Sequence, residues 1–83
     1  MGIETLRVRL NFSETLIKEP LIFKASSLFK ISPSILKADV QEEGWVLLDL
    51  SGAEYELEGA LTWLKNQGVN IKSVRVLKEM YQW

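Results

Sequence analysis

An 83-residue chain is one domain, and with 47% of its residues apolar it can bury a core. Its size puts it near the lower limit of independent stability, where self-association is expected. The net charge of -1 argues against a nucleic-acid binder working by phosphate neutralisation. The absence of cysteine and histidine excludes disulfides, thiolate zinc sites, cysteine nucleophiles, Ser-His-Asp triads and histidine metal ligands. No stretch is apolar and long enough to insert in a membrane, and residues 1–10 hold no run of signal-peptide length, so a cytoplasmic protein is expected.

Residues 5–12 alternate, with Leu6, Val8, Leu10 and Phe12 on one side and Arg7, Arg9 and Asn11 on the other, the pattern of a half-buried strand. Pro20 suits a first helical position, and Leu21, Ile22, Ala25, Leu28 and Phe29 follow at helical spacing, predicting a helix over 20–30. Pro33 bars its continuation. Residues 34–42 alternate again, with Leu36, Ala38 and Val40 opposed to Lys37, Asp39 and Gln41. Glu43-Gly44 reads as a tight turn into a further run over 45–51, completing a hairpin.

Ser51-Gly52 opens a second helix with the stripe Ala53, Leu57, Ala60, Leu61 and Leu64. Its glutamates sit early and Lys65 late, which complements the helix dipole, and Gly68 is a stop signal. Gly59 lies one turn before Trp63 and is expected to make room for that indole. The last strand, over 69–77, changes phase between Val69/Ile71 and Val74/Val76, predicting a bulge or a change of exposure near Ser73. The order βαββαβ, with right-handed crossovers, gives an α+β ferredoxin-like sandwich: a four-stranded antiparallel sheet in order 4-1-3-2 with both helices on one face. The chain is thus a single domain over 1–83, with a core over 5–77 and an aromatic-rich tail over 78–83.

From Leu6 to Leu77 the sequence resembles a NIL domain. The resemblance is carried by Arg7-Val8-Arg9-Leu10-Asn11-Phe12, Pro20-Leu21-Ile22, Phe29, the run from Ser34 to Val40, Gly44, Leu50-Ser51-Gly52, Ala60-Leu61-Thr62-Trp63-Leu64 and Gly68-Val69. It implies a regulatory domain of the kind found at the C-terminus of methionine-importer ATPase subunits, which pairs with its twin and binds methionine near the pairing surface. The chain has no transporter ATPase, so it would act as a stand-alone sensor. At the motif that names the family, Asn-Ile-Leu, this chain has Ser34-Ile35-Leu36. A serine hydroxyl offers less than an asparagine amide, which leaves the ligand open between methionine and another amino acid.

On this reading Ser34, Ile35, Leu36 and Ala38 are the candidate ligand residues, and Lys37, Asp39 and Gln41 line the edge of a homodimer. The rival is a protein-interaction module with no small ligand, docking on an enzyme or an iron–sulfur protein through the open sheet face and Met80, Tyr81 and Trp83. Arg7 and Arg9 lie beside Asp49 on that open face. They read as a cross-strand ion pair in preference to an RNA platform, which would need aromatics at the strand centres. Glu54 and Glu58 read as a solvated first turn in preference to a cation site. No carboxylate pair has a setting that would tune its pKa, so neither catalysis nor a cofactor is expected. A phosphatase of this fold would need a glycine-rich loop after the first strand, and Phe12-Ser13-Glu14-Thr15 has no glycine.

Overall fold

A computed structural model describes residues 2–13, 15, 16, 19–39 and 44–77. The elements run β1 (Glu4–Asn11), α1 (Leu21–Leu28), β2 (Ile31–Asp39), β3 (Trp45–Gly52), α2 (Glu54–Asn66) and β4 (Asn70–Leu77). The sheet is antiparallel in the order β2-β3-β1-β4, the expected 4-1-3-2. Leu6, Val8 and Leu10 of β1 and Val46, Leu48 and Leu50 of β3 turn one way and meet Leu21 and Ala25 of α1 and Leu57, Ala60 and Leu64 of α2 in the core. Among the described residues no helix is long and apolar enough to cross a membrane.

The helix expected over 20–30 is shorter. It ends at Leu28, and Phe29 is already extended, with φ -124° and ψ 150°. Leu28 is 60% exposed and does not belong to the core stripe. The extension that ends the helix starts β2 at Ile31, three residues before the expected position. Pro33 therefore lies inside a strand, opposite Leu50. Proline cannot donate to a ladder, but β2 is an edge strand paired only with β3, so the missing N–H can face outward.

The two edge strands each carry one extra residue. In β2 Ile35 opposes Leu48 and Lys37 opposes Leu47, so Leu36 is the bulged residue. As a result Ile35 and Ala38, not Leu36 and Ala38, share the helix-facing side. In β4 Ser73 opposes Arg9 and Ile71 opposes Leu10, which makes Lys72 the extra residue and accounts for the phase change in the sequence.

Glycines fix three close approaches. Gly68, at φ 104°, closes α2. Its N–H donates to the Lys65 carbonyl and that of Val69 to the Leu64 carbonyl, at 3.0 and 3.1 Å, while the buried Leu64 and Val69 side chains complete a Schellman motif. At Gly52 a Cβ would lie 2.8 Å from the Lys30 carbonyl oxygen. Gly59 makes room for Phe29, whose ring would stand 2.7 Å from an added Cβ, and not for Trp63 as expected. Nearby, the Lys30 N–H donates to Glu56 Oε1 at 3.1 Å, so one of the early glutamates of α2 anchors the start of β2.

On the side of the sheet away from the helices, Arg7 makes a forked contact with Asp49, Nε to Oδ1 at 2.8 Å and Nη2 to Oδ2 at 3.0 Å. Thr5 and Ser51 hydroxyls bond at 2.8 Å one row away. The guanidinium hydrogen bonds hold the Asp49 carboxyl below its usual range, against the opposing effect of partial burial.

Gly52→Ala must push backbone apart and should cost about 1–3 kcal/mol, read as a lowered midpoint of thermal unfolding. Gly59→Ala should cost less, because the Phe29 side chain can turn aside and the helix regains up to about 1 kcal/mol of propensity. For Asp49, the folded pKa lies below the unfolded one, so its contribution is full above the ordinary carboxylate range and is lost as pH falls through the lowered value. Asp49→Asn should therefore lower the unfolding midpoint at neutral pH and match the parent in strong acid.

Candidate functional site

Between the first turn of α1 and the edge strand β2 lies an open concavity of about 540 Å3. Phe12, Leu21 and Val46, all buried, form its floor. Phe23 of α1 and Ile35 and Ala38 of β2 form its rim, and Phe23 and Ile35 are 70% and 58% exposed. The cause is one of length. An eight-residue helix is about 12 Å long and a nine-residue strand about 30 Å, so α1 can cover only part of β2. Of the whole strand only Ile31 is buried.

Two polar side chains line the concavity. Ser26 Oγ donates to the Phe23 carbonyl at 2.8 Å and keeps its lone pairs for another donor. Glu19 lies at the mouth, 3.7 Å from Lys24 Nζ, in an exposed pair worth little in stability. The rest of the lining is apolar. Such a cleft, with few polar groups, has the size and character of a small-molecule site.

Two of the four candidate ligand residues, Ile35 and Ala38, line this concavity. Ser34 does not. It pairs with Asp49 and so lies on the opposite, open side of the sheet. Leu36, at the bulge, is 43% exposed on the strand edge. Lys37 and Asp39 pair with Leu47 and Trp45 and also lie on the open side. Gln41, Met80, Tyr81 and Trp83 lie outside the described residues. The contributions of Phe12, Phe23, Ser26 and Val46 were not anticipated. Phe12 and Val46 read as ordinary core residues, and the only signal from α1 was Phe23, an aromatic with no place on the apolar stripe.

The open side is the second surface of note. Arg9 does not share Asp49 with Arg7. Its guanidinium carbon stands 4.4 Å from the centre of the Trp45 ring, a cation–π contact. Arg75 of β4 lies directly opposite Arg7. Asn11, next to Trp45 at the end of the sheet, has a buried Oδ1 with no hydrogen-bond partner among the described residues.

The sequence profile of the NIL domain matches residues 6–73. Among solved structures the fold is similar to the C-terminal domain of an ABC transporter ATP-binding protein from Enterococcus faecalis, with a TM-score of 0.68 and 21% identity over 92% of this chain and 84% of that one. It is also similar to the de novo designed protein Foldit4, with a TM-score of 0.62 and 10% identity over 94% of this chain and 99% of that one. No curated protein sequence matches. At these identities the structural likeness is one of fold, and a designed sequence reaching the same fold shows that architecture alone assigns no ligand. The profile match spans most of the chain: the chain belongs to the NIL domain family.

Proposed function

We propose that this NIL domain is a non-catalytic regulatory domain that binds a small molecule, methionine or another amino acid, in the concavity between α1 and β2, next to a homodimer seam. The observation that carries the reading is the concavity itself: a built, largely apolar cleft whose rim holds exposed Phe23 and Ile35. Exposed apolar rims of this kind mark binding sites more often than chance surface. Ile35 and Ala38 would hold the apolar side chain of the ligand, with Ser26 and Glu19 as its polar contacts. Ser34 and Leu36 would act from the strand itself, at the seam. Among the described strands none pairs with the outer edge of β2, which would offer its backbone groups to a second copy, with Lys37 and Asp39 bordering the seam.

The rival reading is an interaction module without a small ligand, docking on an enzyme or an iron–sulfur protein. The arginine-rich open face of the sheet supports it.

Thermal unfolding against a panel of amino acids tests the first reading. A ligand at a hundred times its dissociation constant adds about 2.7 kcal/mol, and each kcal/mol moves the midpoint of a domain this size by roughly 4–8 °C. Methionine or one other amino acid should produce such a shift, and Ala38→Trp, which fills the cleft, should abolish it while the protein stays folded. A flat response to the whole panel would discard the sensor and leave the interaction module. For the seam, sedimentation should give twice the chain mass, and Leu36→Asp should return it to the monomer.

A further inference from the structure

We propose that the open face of the sheet is a docking surface for an acidic protein segment, gripped by Arg9 and Arg75. Among the described residues, cross-strand pairing puts Arg7, Arg9, Arg75 and Lys37 on this face against Asp49 and Asp39, an excess of two positive charges there on a chain whose total is -1. Asp49 is committed to Arg7 through both its oxygens. No carboxylate among the described residues pairs with Arg9 or Arg75. Arg9 is nevertheless not loose, since it lies against Trp45. Arg75 opposes Arg7, and like charges in directly opposite positions destabilise a sheet. The face therefore presents two guanidinium groups in diagonal positions, roughly 7–8 Å apart at their backbone. Guanidinium forks match carboxylates, and an incoming carboxylate would relieve the repulsion between Arg7 and Arg75.

The same face selects among occupants. Trp45 and Leu47, both half-buried, place apolar surface between the charges, which suits a protein segment that mixes acidic and apolar side chains. Four strands of eight or nine residues span about 19 by 26 Å, or about 500 Å2 in projection. A stable complex buries about 800 Å2 on each partner, so the face fits a segment held transiently. A second copy is the wrong partner, because stacking two such faces sets the same excess of charge against itself. An excess of two charges is too small to hold nucleic acid through its phosphates. This surface lies on the other side of the sheet from the concavity, and the inference stands or falls independently of the small-molecule reading.

An acetylated peptide of Glu-Glu-Leu repeats is the probe, titrated into the full chain and followed by backbone amide NMR. Saturable shifts should be confined to Arg7, Arg9, Trp45, Leu47, Ser73, Arg75 and their neighbours, and should weaken from low to physiological salt. The double variant R9E/R75E should bind the peptide at least roughly tenfold more weakly. Arg75→Glu alone should raise the unfolding midpoint of the free protein by roughly 2–5 °C, since it turns a repulsive pair into an attractive one. That measurement also shows that the variants fold. Absence of saturable shifts, shifts on the helix layer, equal binding by R9E/R75E, or a lowered midpoint for Arg75→Glu would overturn the assignment. So would a single-stranded oligonucleotide that binds this face more tightly than the peptide.

Discussion

Two helices of eight and thirteen residues, about 12 and 20 Å long, have to cover a sheet whose strands run about 26–30 Å. They manage it only over the two central strands, where Val8, Leu10, Leu48 and Leu50 are sealed beneath Leu57 and Leu64. Towards both edges the cover runs out. At β2 the shortfall leaves the concavity beside α1. At β4 it leaves Val74 and Val76 about half exposed, although they face the helix side opposite buried Val8 and Leu6. A longer first helix would bury more and remove the cleft. The shortness of the helices thus leaves the cleft open.

The sheet separates two kinds of surface. Its helix side is apolar and opens at the β2 edge. Its other side is built of cross-strand polar and charged pairs with Trp45 and Leu47 set among them. Alternation along β1 and β3 enforces this division, because successive side chains must point to opposite faces. A ligand in the cleft and a partner on the open face would touch different residues of the same strands. Asp49 illustrates the economy of the arrangement: it braces Arg7, while Arg9 lies against Trp45 and no carboxylate among the described residues pairs with Arg75.

What could be read from the sequence was whatever periodicity controls. The alternation of β1 and β3, the stripe of α2, its Gly68 stop and the phase change in β4 all correspond to observed features. The order of the sheet followed from the order of the elements. The readings that failed depended on contacts between distant residues or on competing local rules. Pro33 reads from sequence as the stop of the first helix, with the strand beginning after it, yet an edge strand has a side on which its missing N–H does no harm. The bulge at Leu36 could not be seen, because Ile35 and Leu36 are both apolar and either could have faced inward. Gly59 was assigned to Trp63, its neighbour on the same helix, when the close contact comes from Phe29 across the helix layer. Of the candidate concavity, the β2 side could be named from the edge position of the strand, whereas the α1 side depends on how far the first turn of the helix reaches over the sheet, which no local pattern encodes.

Both edge strands carry an extra residue, Leu36 in one and Lys72 in the other, and the two central strands carry none. A bulge interrupts the even spacing of N–H and C=O groups along the free side of a strand. Any strand that added itself to β2 could stay in step only over the stretch before Leu36 or the shorter one after it, and Pro33 lacks a donor within the first. Such an added strand would zip up for a few residues and stop. The irregularity therefore acts as a length limiter on sheet growth: it permits a short, exchangeable pairing while denying the long in-register ladder through which small sheet proteins polymerise.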